Sequence, residues 1–124
     1  MRKNWDNNVE DMHFIEKVGV GAYHVYNKVK KVLIVESRDF VMDFFTNWEA
    51  NGSIYIIISS NPDLYEAYPK KKGVTRAESP VGGWIITPDA SDPNKCWVKL
   101  IVELDFKGPM PDIAIKTAFK DQGY

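Results

Sequence analysis

The stretch from Ser37 to Trp48, S-R-D-F-V-M-D-F-F-T-N-W, constrains the fold most. Side chains on a strand alternate between two faces. Read as a strand, it puts Phe40, Met42, Phe44 and Trp48 on one face. The other face carries Val41, Asp43, Phe45 and Asn47. The first set is large, apolar and mostly unbranched. Such a face either fills a core or lines a pocket for something apolar. The segment from Cys96 to Phe106 alternates more cleanly still. Val98, Leu100, Val102, Leu104 and Phe106 share one side, with Trp97, Lys99, Ile101, Glu103 and Asp105 on the other. One side is dry and the other largely wet, as in an antiparallel sheet covered on one face.

The remaining segments fit around these two. Residues 2–12 are polar and read as an irregular lead-in. His13 to Val18 and Ala22 to Asn27 read as strands that pair in a hairpin across Gly19 and Gly21. Lys28 to Glu36 reads as a connecting loop with an extended end. Asn51-Gly52 between two apolar runs is a hairpin signal, so Ser53 to Ser60 partners the Ser37 strand. Residues 61–73 form a long loop with a helical turn near Asp63-Leu64-Tyr65. Val74 to Ser79 is a strand, Pro80-Val81-Gly82-Gly83 a turn, and Trp84 to Thr87 another strand. Asp89 to Lys95 is a loop by composition. Lys107-Gly108-Pro109-Met110-Pro111 breaks the sheet. Asp112 then caps a helix from about Ile113 to Lys120, with Ala114, Ile115, Ala118 and Phe119 clustered at helical spacing. The class is α+β: a curved antiparallel sheet packed on a C-terminal α-helix.

The length of 124 residues suits a single domain over residues 1–124. A hydrophobic share of 44% against 27% charged argues against disorder. A net charge of -1 gives no basic footprint for nucleic acid. The sequence has one cysteine, Cys96, so no intrachain disulfide forms, which fits a reducing compartment; a buried or half-buried, inert thiol is expected. The first residues lack the apolar core of a signal peptide, and no apolar run reaches the length of a membrane span. A cytoplasmic location is the expectation. His13 and His24 have no third histidine and no H-E-x-x-H spacing, so no metal site is expected. No G-x-S-x-G elbow, paired acid set or phosphate loop is present, so an enzyme is not expected.

Four motifs in order resemble the START (steroidogenic-acute-regulatory-related lipid-transfer) domain family. They are W-D and N-V at 5–9, R-D-F-V at 38–41, K-G-V-T-R-A-E at 72–78 and D-F-K-G-P-M-P at 105–111. The resemblance covers nearly the whole chain. It implies a helix-grip fold that encloses a single lipid of the phospholipid, sterol or ceramide class and carries it between membranes, without cofactor or catalysis. It implies a gate made by the last helix and the loop from Lys28 to Ser37, and transient membrane contact. The family's domain begins before Trp5 and its last helix runs longer, so a partial domain is expected here. An exposed sheet edge then favours a homodimer. The alternative function is a non-catalytic interaction or regulatory domain that dimerises, or belongs to a longer protein, and carries no lipid alone.

On the residues alone, the apolar faces read as core. The resemblance makes them a ligand lining. From the first strands that lining takes Val25, Phe40, Met42, Phe44, Ile56 and Ile58. From the later segments it takes Val98, Leu100, Val102, Leu104, Ile115 and Phe119. Val25 and Phe44 stand where some sterol-binding members carry an acidic residue and an arginine, so this lining is more apolar. Arg38 and Asp39 point to opposite faces and read as ties within the fold, Arg38 to a carboxylate or loop carbonyls and Asp39 to a turn. Arg76 shares a face with Glu78; surface pairing and a lipid-headgroup contact are the two readings. Lys70-Lys71-Lys72 reads as a solvated loop, with weak docking to an anionic membrane as the alternative.

Overall fold

The computed structural model describes Asn4 and residues 6–120. A seven-stranded sheet forms the body, and one helix follows it. The strands are β1 (Val9–Gly19), β2 (Ala22–Val29), β3 (Ser37–Trp48), β4 (Ile54–Ser60), β5 (Val74–Arg76), β6 (Gly82–Pro88) and β7 (Cys96–Val102). The helix α1 spans Asp112–Lys120. Strands β1-β2-β3-β4-β6-β7 pair antiparallel in that order. The short β5 leaves this path and pairs parallel with β3.

Register decides which residues share a face. Phe44 lies opposite Ile58, Ile58 opposite Gly82, and Gly82 opposite Val102. The next row runs Thr46, Ile56, Trp84, Leu100. The face of Phe40, Met42 and Phe44 is therefore also the face of Leu100 and Val102, and we call it concave. Phe40, Met42, Ile58 and Ala77 form the buried core of that face, with Ile56, Trp84 and Leu104 packed on it.

Several boundaries differ from the sequence reading. The lead-in is a strand from Val9, because Asp11 and Met12 find partners in Lys28 and Asn27 on β2. Lys28 and Val29 belong to that strand, not to the loop. Gly82 and Gly83 lie inside β6, not in a turn. The Asn51-Gly52 hairpin forms, with Gly52 at φ +85°, and Glu49 and Ser53 close it through a hydrogen bond of 2.8 Å. The strand at 74–79 shortens to three residues and pairs in parallel, so the sheet is not a pure antiparallel meander. The helical turn is a 3-10 turn at Pro62–Leu64, with Asn61 accepting from the Asp63 amide as a cap.

The described residues of the helix pack at one end of the sheet. Ala114 is buried, and it shares a small cavity of about 40 Å³ with Val29, Val32 and Phe106. The nine described residues of the helix span roughly 14 Å at 1.5 Å each. The concave face of β7 is left open: Val98 is 59% and Val102 46% exposed. Cys96, at the start of this edge strand, is exposed rather than buried for the same reason.

Candidate functional site

The concave face carries a cavity of about 150 Å³. Its walls come from separate parts of the chain. Phe40, Met42 and Phe44 rise from β3, and Ile58 from β4. Trp84 and Leu100 face them from β6 and β7, and Leu104 and Phe106 close the end near the helix. Gly82 leaves room in the row between Ile58 and Val102, where any side chain would project inward. A dry apolar cavity of this size holds a benzene-sized molecule, and sites for whole ligands run to about 300–1,000 Å³. The cavity is therefore smaller than a site for a whole ligand. The open apolar surface of Val98 and Val102 continues the same face beyond it.

Most of the expected lining is brought together. Phe40, Met42, Phe44, Ile58, Leu100, Val102 and Leu104 line the cavity. Val25 shares their face, opposite Met42, but is fully buried behind them and does not line it. Ile56 packs on the core of this face, and Val98 lies on it exposed. Ile115 lines the smaller cavity beside the helix. The side chain of Phe119 lies outside the described residues, as does Trp5 of the first motif.

Arg76 is not brought to the cavity. It lies on the opposite, convex face, 4% exposed, with its Nε 2.7 Å from Oδ1 of the fully buried Asp39. Its Nη2 donates to Asp39 Oδ2 at 3.2 Å and to the Tyr68 carbonyl at 2.8 Å. The Tyr26 hydroxyl also donates to Asp39 Oδ2. Asp39 thus holds β5 and the 61–73 loop rather than capping a turn, and Arg76 pairs with Asp39 rather than with Glu78. Strand alternation could not pair them, because β5 is 37 residues further on. Burial, then the Asp39 charge, raises the Tyr26 hydroxyl to about 12.

Arg38 is a second tie, on the cavity side. Its three nitrogens donate to the carbonyls of Phe106, Glu36 and Lys107 at 3.0, 2.7 and 2.9 Å. This fixes the junction before the helix to the end of the 30–36 loop. Glu78 and Asp105 form a backbone bridge beside it, and Lys107 reaches both carboxylates at 3.1 and 2.6 Å. Those contacts hold the Lys107 amine above its usual range, through Asp105 first and Glu78 second. The R-D, R-A-E and D-F-K-G motifs therefore meet in space as the frame of the site.

Sequence reasoning missed Val29, Trp84, Phe106 and Asn27 as wall residues. The signal for Asn27 was available: it stands between Val25 and Val29 on one strand face, polar among apolar. It is 7% exposed and lines the cavity, and its Oδ1 is buried with no hydrogen-bond partner among the described residues. A buried acceptor left unpaired costs about 1–3 kcal/mol.

The family profile described as START domain matches residues 1–122. The steroidogenic acute regulatory protein, mitochondrial, of Bos taurus is 28% identical over 113 residues, 90% of this chain and 39% of that protein. START domain-containing protein 10 of Homo sapiens is 28% identical over 110 residues, 89% of this chain and 36% of that protein. The chain thus spans less than two-fifths of the length of these relatives. Among solved structures, human StAR-related lipid transfer protein 5 superposes with a TM-score of 0.81 at 20% identity, over 97% of this chain and 57% of that one. The crystal structure of human STARD10 gives 0.78 at 24% identity, over 95% of this chain and 46% of that one. At these identities the superpositions establish the curved sheet with its C-terminal helix as the shared fold.

Proposed function

This chain belongs to the START domain family, and we propose that its concave face binds a single lipid and passes it between membranes. One observation carries the reading: Phe40, Met42, Phe44, Trp84 and Leu100 converge from three strands around unfilled space. A core of the same residues would close that space, since voids forfeit contacts. The mechanism is solvation by enclosure, in which each methylene leaving water contributes about 0.8 kcal/mol. No bond chemistry is part of it. Residues 1–124 act as one domain.

The test is native mass spectrometry on freshly purified protein, followed by organic extraction of what is retained. The expected result is a monomer with one added mass that extracts as a lipid. A ligand-free dimer that takes up no labelled sterol, phospholipid or ceramide from vesicles would overturn the carrier reading. The exposed edges of β1 and β7 favour that second reading, an association domain joined through the sheet.

Membrane contact is assigned to the 30–36 loop. Ile34 is 89% and Leu33 58% exposed at its tip, beside Lys30 and Lys31. Two bare aliphatic side chains beside two ammonium groups suit an anionic interface. Replacing Ile34 with serine should weaken sedimentation with anionic vesicles about tenfold and leave the melting temperature unchanged. Equal sedimentation of both proteins would remove this loop from the contact.

A further inference from the structure

Resting on the lipid-carrier reading, the inference concerns what the cavity selects. Asn27 pairs with Phe40 on β3 and Met12 on β1, which sets its carboxamide on the concave face. Of the other polar walls, Asn8 is a second carboxamide, but half-buried and held in the turn before β1, where its backbone N–H donates to Asp6 Oδ1. The Ser79 hydroxyl is already used on the Glu103 carbonyl, at 3.1 Å. Lys30 also lines the cavity, but it is exposed at the start of a surface loop. Asn27 Oδ1 is buried and unused among the described residues.

Among the described residues no arginine is placed to neutralise a phosphate there. Arg38 has all three nitrogens committed to backbone carbonyls, and Arg76 is held by Asp39 on the far face. Lys30, the cation in the lining, is exposed, so a phosphodiester drawn in beside the buried Asn27 would part from it and stand as a buried charge. A carboxamide instead presents an acceptor and a donor side by side, whichever way it is turned. Its match is a neutral group that both donates and accepts, namely a hydroxyl or a secondary amide. We propose that Asn27 is the specificity-determining residue of the cavity, and that it selects a neutral lipid whose head carries a hydroxyl or an amide over one whose head is a phosphodiester.

The experiment measures uptake by the whole chain from vesicles of phosphatidylcholine. The vesicles contain labelled cholesterol or labelled N-acylsphingosine, each compared with its O-methyl ether, and labelled phosphatidylcholine is followed in parallel. The free hydroxyl should be preferred over its ether by about tenfold for at least one pair. Phosphatidylcholine should be taken up least. In Asn27→Leu, a near-isosteric change, that preference should fall to about one. The ether comparison is made on the unmodified protein, so it stands even if the variant fails to fold. Uptake indifferent to methylation, or led by phosphatidylcholine, overturns the assignment to Asn27 and leaves the carrier reading standing. Uptake of none of these lipids overturns the carrier reading and the assignment with it.

Discussion

Gly83→Ala should unfold the sheet. Gly83 sits inside β6 at φ +148°, a region that a residue with a Cβ rarely adopts. A Cβ built there would lie 1.9 Å from the Ile56 carbonyl oxygen and 2.9 Å from its carbon. Both atoms are backbone, so no rotamer relieves the clash. The neighbouring strand would have to separate from β6 where Ile57 opposes Gly83, and the wall made by Ile58 and Trp84 would part with it. The loss should exceed about 4 kcal/mol, a large share of a typical stability of about 5–15 kcal/mol. Soluble yield and urea denaturation measure it. Gly82→Ala is the control: its Cβ would meet the Ile101 oxygen at 3.2 Å, tight but open to small shifts. A Gly83→Ala protein with the midpoint of the parent would refute this account of β6.

Arg76→Leu should destabilise the protein by about 3–5 kcal/mol, because it strands a fully buried carboxylate. The long 61–73 loop would lose its tie at the Tyr68 carbonyl as well. Replacing both partners, Asp39→Leu with Arg76→Leu, should restore at least half of the loss, since the penalty is the unpaired charge and not the absent attraction. Chemical denaturation of the two single variants and the double variant gives the coupling. Additive losses would mean that the pair does not act as a unit. The same cluster sets an alkaline limit. The Tyr26 hydroxyl is raised from 10 to about 12 in the folded protein, so the unfolded chain ionises first. That contribution is fully present below pH 10 and is lost as pH rises towards 12. Tyr26→Phe should flatten stability across that window.

The alternating strands were legible because each side chain's face follows from its own chain. Phe40, Met42 and Phe44 could be placed together, and so could Leu100, Val102 and Leu104, from period two alone. The side of Ile56 and Ile58 was ambiguous, since Ile57 is apolar too; pairing with Thr46 and Phe44 decides it. Gly82-Gly83 resembles a turn in any local window. Only its position against Ile57 and Ile58 makes it part of a strand. The motifs that carried the resemblance were visible as residues, but their purpose was not. Arg38, Asp39, Arg76, Glu78, Asp105 and Lys107 bond one another or the backbone across the sheet, and those partners are far apart in sequence.

By itself the sequence determined the strands, the last helix and the apolar character of one face, because these follow from local periodicity and turn chemistry. Tertiary structure alone decided the rest. It put Arg76 on the convex face, left Asn27 Oδ1 without a partner among the described residues, and set the described residues of α1 at one end of the sheet. Each of those depends on which distant segment lies opposite, and no local pattern encodes a partner.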